Sequence, residues 1–192
     1  MSAREELLAR VIAWFAEHGV GDTSMRTIAA GVGTSHRMLH YHFGSREGLL
    51  GAVVEAVERG ERDALQALSA RGDDPYAAGL AFWDHVADAA ATFAPLFFEL
   101  SGQAMQRKPW AEPLRDWLSA GWIDVLTDLY RGAGHDQLVA EQQARMSLAL
   151  ARGLLFELAL TGERAAADAA MRDAVERLRL LSTGGRNLPK DG

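Results

Sequence analysis

Between one glycine or proline and the next, nearly every stretch of this chain repeats its apolar residues at three- and four-residue spacing. No stretch alternates with period two over the length of a strand. Such a chain folds as helices packed on helices. Leu8, Val11, Ile12 and Phe15 form the first stripe, and Gly19 supplies a stop. Thr23 or Ser24 caps a short second helix that buries Met25, Ile28, Ala29 and Val32, and Gly33 breaks it. Thr34 or Ser35 then caps a third helix with Leu39 and Phe43 on its inner face. Gly44-Ser45 closes that helix and opens a long fourth, with Leu50, Val53, Val54, Val57, Leu65 and Leu68 as its stripe, ending near Arg71-Gly72.

Asp74-Pro75 is a cap followed by a first-turn proline, so a fifth helix starts there and runs to about Phe93, where Pro95 predicts a break. A sixth covers roughly 96–107. A seventh, between Pro113 and Gly132, carries Leu114, Trp117, Leu118, Val125, Leu126 and Leu129. Asp136 caps an eighth that reaches Leu160 and stops at Thr161-Gly162, and a ninth spans about 164–182 with Met171, Ala174, Val175, Leu178 and Leu181. The expectation is an all-α fold of about nine helices, followed by a polar, flexible tail at 184–192.

With 192 residues and 48% apolar composition the chain can bury a core without staples. It has no cysteine, which excludes disulfides, zinc fingers and thiol catalysis. No signal-peptide pattern opens it, and the longest apolar-rich stretch, Leu148 to Leu160, is short and broken by Arg152 and Glu157. A soluble cytoplasmic protein, not a membrane one, is expected. The net charge of −6 is unevenly spread: residues 1–50 hold five Arg against five Asp or Glu, and residues 51–192 hold 15 basic against 21 acidic side chains. Within 24–47, Arg26, Arg37 and Arg46 face Glu47 alone. A locally positive segment on an acidic body can still dock on phosphate, because screening confines charge to about 8–10 Å.

Three short helices in the first 43 residues, with a tight turn at Gly33 between the second and third, describe a helix-turn-helix over about 24–43. In that geometry the third helix enters the major groove. With Leu39 and Phe43 inside, Ser35, His36, Arg37, Met38, His40 and Tyr41 are left to face DNA. Thr23-Ser24-Met25-Arg26-Thr27-Ile28-Ala29, then Gly33-Thr34-Ser35, then Leu39-His40-Tyr41-His42-Phe43-Gly44-Ser45-Arg46-Glu47, resembles the N-terminal signature of TetR-family regulators. The resemblance covers about residues 5–55; the rest is similar only in length and helix count. It implies Arg26, Thr27, Ser35, His36, Tyr41, His42 and Arg46 as DNA contacts, and Thr34, Arg37, Met38 and His40 complete the candidate surface. Arg37-Met38 stand where the family commonly has Gly-Thr, and His40 where it has Tyr. Arg37 is then a candidate for a phosphate or, bidentate, for a guanine. Gly48 replaces a frequent capping-box Glu, so a less firm start of the fourth helix is expected. His42 also reads as a structural residue and Arg46 as a plain surface charge. His36 and His40 share a helix face at i, i+4, but without a third ligand no metal is expected, and no cofactor.

Aromatics crowd residues 76–130. Phe82, Trp83, Phe93, Phe97, Phe98, Trp117 and Trp122 are candidate walls of an apolar effector pocket, with His85, Asp88, Glu99, Gln103 and Gln106 as polar members; ordinary core packing is the alternative. The resemblance places an effector pocket in this domain and a dimer interface on the last two helices, about 137–160 and 164–182. In the eighth helix, Ala144, Ser147, Ala151 and Leu154-Leu155 form the candidate strip; packing against the seventh helix is the alternative. The organisation expected is a DNA-binding domain at 1–48, a helical effector and dimerisation domain at 49–183, and the tail. No phosphate loop, nucleophile elbow or metalloprotease motif is present, so no enzyme is expected. The implied function is a homodimeric repressor released from a palindromic operator by a small hydrophobic effector. An activator of the same fold, or a ligand-binding protein that has lost DNA recognition, stands as the alternative.

Overall fold

A computed structural model describes residues 2–71, 74–108 and 111–184, without the side chains of Pro113, Asp116, Trp117 and 181–184. The expected tail beyond Gly184, the helix stop at Gly72, and the side chains of Trp110, Trp117 and Leu181 lie outside the described residues. Among these the structure is all helix, and no strand occurs. The helices are α1 (Ala3–His18), α2 (Met25–Gly31), α3 (His36–Phe43), α4 (Arg46–Ser69), α5 (Pro75–Asp88), α6 (Ala90–Met105), α7 (Glu112–Leu118), α8 (Ala120–Gly132), α9 (Gln137–Thr161) and α10 (Arg164–Gly184). They form two compact units, one of residues 2–60 and 91–118, the other of 61–90 and 119–184.

The first unit is built on caps and one apolar core. Ser2 and Glu5 form a reciprocal capping box at α1. Ser24 Oγ accepts from Thr27 N at 3.2 Å, and Ser35 Oγ accepts from Met38 N at 3.1 Å. Each such cap is worth about 0.5–2 kcal/mol. Between α2 and α3, Gly33 takes φ +66°, a left-handed conformation that a side chain would strain. Val11, Ile28, Leu39, Leu49, Val54, Leu100 and Leu114 are wholly buried together.

The second unit packs α8 on α9, with α5 and α10 alongside. The Tyr130 hydroxyl pairs with Ser147 Oγ, the Tyr76 hydroxyl stands 3.0 Å from His135 Nε2, and buried Ala140 and Ala144 share the cluster of the two tyrosines. Val175 and Leu178 of α10 pack against this cluster. At its other end Arg164 holds Asp168 at 2.7 Å and Asp88 at 2.6 Å, and Trp83 Nε1 donates to Asp168 at 2.7 Å. No described helix is long and apolar enough to cross a membrane.

Three local expectations are corrected. The fifth helix ends at Asp88, not at about Phe93, and Pro95, the expected break, sits in the second turn of α6. There a proline forfeits a single backbone bond, to the Ala91 carbonyl, and the helix survives it. The seventh helix is two, because Ser119 leaves helical geometry at φ −133°, ψ −75°. Finally, α4 starts firmly. Ser45 Oγ accepts from Gly48 N at 3.1 Å, and a Cβ at Gly48 would stand 2.2 Å from the Phe43 carbonyl oxygen. Glycine is required there by close approach, and the absent Glu costs the helix little.

Candidate nucleic-acid interface

The α2–turn–α3 pair buries Ile28, Ala29, Val32, Leu39 and Phe43, and this fixes what the outer face presents. Ser35, His36, Arg37, Met38, His40 and Tyr41 are all exposed, Tyr41 by 78%. Arg26 and Thr27, in the first turn of α2, are exposed as well, while Thr34 and His42 are half-buried. The guanidiniums of Arg26 and Arg37 have no partner among the described residues. The His36 and His40 rings lie 6.3 Å apart. No group of three or more metal-ligating side chains occurs among the described residues. The arrangement offers two free cations, hydroxyls and imidazoles on one helix pair, the chemistry of phosphate and base-edge contact.

Arg46 is placed differently from the rest. Its Nε donates to the Thr23 carbonyl at 2.9 Å and its Nη2 to the Gly21 carbonyl, so it is engaged inside the unit and half-buried. Next to it Glu47 is held below the usual carboxylate range, first by its own backbone N–H and then by the Ser45 hydroxyl.

Sequence reasoning passed over three side chains that brace this pair. Arg10 Nη1 donates to the Val32 carbonyl at 3.0 Å, clamping the turn. The Arg4 guanidinium lies 5.1 Å above the Phe43 ring. Trp14 packs so closely on α2 that a Cβ at Gly31 would meet its Nε1 at 2.3 Å. These partners are remote in sequence, so no local pattern announces them.

The candidate effector residues divide between the units. Phe97 is buried in the core of the first, with Phe93 and Phe98 packed against that same core. In the second, Trp83 is buried, and the Phe82 and Trp122 rings meet at a tilt of 45° with centroids 5.5 Å apart. The second unit also holds a groove of about 450 Å³, lined by Gln66, Ser69, Pro75, Val125, Asp128, Leu129 and Gly132. Of the expected polar members, His85 stands 3.1 Å from Glu61, and Asp88 pairs with Arg164.

Residues 7–53 match the model of bacterial regulatory proteins of the tetR family. No curated protein matches the chain in sequence. Among solved structures, a TetR transcriptional regulator from Legionella pneumophila is similar, with TM-score 0.70 and 19% identity, over 93% of this chain and 97% of that one. A transcriptional regulator from Rhodococcus sp. Rha1 is similar at TM-score 0.68 and 22% identity, over 92% and 95%. SmeT, the repressor of the Stenotrophomonas maltophilia multidrug efflux pump SmeDEF, is similar at TM-score 0.63 and 22% identity, over 91% and 89%. Residues 7–53 thus carry the DNA-binding signature of the tetR family, and along nine-tenths of its length the chain has the fold of TetR-family regulators of known structure.

Proposed function

We propose that this chain is a TetR-type transcriptional regulator, a homodimeric repressor that reads palindromic DNA with α3 and lets go when a small hydrophobic effector binds. The observation that carries DNA reading is the outward face of α3, where Arg37, His40 and Tyr41 stand exposed beside the free Arg26. Arg37 is the proposed base reader, and Arg26, Thr27, Ser35 and His36 the proposed phosphate and groove contacts. This role places its action in the cytoplasm.

Dimerisation is supported by a different strip from the one expected. Ala144, Leu154 and Leu155 are buried inside the chain, and Ser147 is bonded to Tyr130. Outward stand Met146, Ala149, Gly153, Phe156 and Leu160, with exposure reaching 71% at Leu160. Their spacing of 3, 4, 3 and 4 is a helix-packing seam, and exposed Ala166 and Ala170 of α10 add a small-residue flank. One recognition helix reads few base pairs, so pairing two copies on one duplex is the economical way to bind tightly. Repression is supported by the likeness to SmeT, itself a repressor. The second unit's groove, with the Phe82–Trp122 pair, is the proposed effector region.

The test is selection from random duplexes with the purified protein, followed by mobility shifts of the selected duplex with a panel of hydrophobic compounds. A palindromic consensus bound by a dimer and released by a compound is expected. An asymmetric site bound by a monomer sinks the dimer, and affinity unmoved by the whole panel sinks the effector.

A further inference from the structure

We propose that Arg46 is a positioning residue for DNA recognition and not a phosphate contact. The proposal rests on the reading of α2 and α3 as the DNA-binding pair, and deepens it. Arg46 is the first residue of α4. Its guanidinium bridges the carbonyls of Gly21 and Thr23, in the loop that leads into α2. That loop is itself tied down, since the Thr23 hydroxyl donates to the Val20 carbonyl at 2.7 Å. One residue on, Ser24 caps α2 by accepting from Thr27 N at 3.2 Å and meets the Thr27 hydroxyl at 2.9 Å. A continuous run of short polar contacts therefore joins the start of α4 to the turn that carries Arg26 and Thr27.

The same first turn of α4 is seated on α3. Gly48 lies against the Phe43 carbonyl, so close that a side chain has no room. Both helices of the DNA-reading pair thus take their position from one turn of α4, α3 through Gly48 and α2 through Arg46. The geometry needs arginine. Its planar fork offers several donors at fixed angles, so it holds two carbonyls at once, whereas a lysine ammonium on a flexible stem is a point charge without that preset fork. A bare phosphate contact makes the opposite demand, because there lysine serves nearly as well.

Three variants of the full chain decide it: Arg46→Lys, Arg46→Gln and, as a reference for a true phosphate contact, Arg26→Ala. Each is titrated against the duplex selected by the wild type at several salt concentrations, well below its unfolding midpoint, with helix content checked by circular dichroism. Both Arg46 variants should lose roughly tenfold in affinity at every salt concentration, the scale of one good polar interaction, with the salt slope kept. Arg26→Ala should flatten that slope by about one unit. If Arg46→Lys binds like wild type while Arg46→Gln loses about one unit of slope, Arg46 is a phosphate contact and the proposal is wrong. If both variants bind like wild type and only melt earlier, Arg46 merely stabilises the fold, which also overturns it. A wild type that selects no duplex removes the DNA-binding reading, and this proposal with it.

Discussion

Arg37 has no partner within the described chain and stands on the exposed face of α3, which makes its removal a clean experiment. Arg37→Ala should cost about 1–3 kcal/mol on the preferred duplex and relax preference at a single base position. Binding to duplexes that differ from the consensus by one base measures it, and a uniform loss across them would reassign Arg37 to phosphate. A second residue makes a prediction about pH. Burial pushes the Glu61 carboxyl above its ordinary value, and the His85 ring 3.1 Å away only partly offsets this. The sign follows from linkage. A raised folded-state value means the group costs nothing while it is protonated in both states, and its ionisation costs stability as pH rises through that value. Glu61→Gln should therefore raise the unfolding midpoint at pH 8, and the gain should shrink as pH falls towards 4.5, as thermal melts at each pH would record. At this scale the sequence was a fair guide to which residues are exposed on α3. It read Arg46 as a DNA contact or a surface charge and gave no sign of its two carbonyl partners, which lie 23 and 25 residues away.

Among elements, the start of the chain was legible because its punctuation is local. Ser24, Ser35, Gly19 and Gly33 each mark a boundary by their own chemistry, and α1 to α4 fall close to where those residues put them. Farther along, the cues compete with packing. Pro95 is a strong stop signal that costs α6 only one backbone bond so near its start, and Ser119 breaks a helix without supplying a side-chain cap. The inner and outer faces of α9 were the hardest to assign, since that helix carries apolar residues on both sides: Ala144, Leu154 and Leu155 turn inward while Met146, Phe156 and Leu160 turn out. Two substitutions separate those faces. Phe156→Glu should weaken self-association, seen as a shift to monomer in sedimentation equilibrium, with helix content unchanged. Leu178→Glu should instead lower the unfolding midpoint, because Leu178 packs against the tyrosine cluster of its own chain. Equal self-association in wild type and Phe156→Glu would remove the α9 seam from the interface.

For the whole molecule, net charge is a poor indicator of its partner. The chain carries −6, yet the segment proposed to read DNA is locally positive, so affinity should fall steeply and log-linearly with salt despite the acidic body. Titrations between about 50 and 200 mM salt test this, and a flat response would mean that the exposed arginines do not meet phosphate. The two crowded glycines, Gly31 and Gly48, carry a different consequence, for how this chain can vary under mutation. Gly51, Gly79 and Gly102 have open space where a methyl group would go, so alanine at those sites passes unnoticed by their neighbours. At Gly31 the obstacle is the indole of Trp14, a side chain that can itself be replaced. A selection for restored DNA binding in a Gly31→Ala background should therefore return smaller residues at position 14 as suppressors. At Gly48 the obstacle is the backbone oxygen of Phe43, which every amino acid possesses. No exchange at position 43 removes it, so Gly48→Ala should yield far fewer revertants than Gly31→Ala, and those that arise should restore the glycine itself.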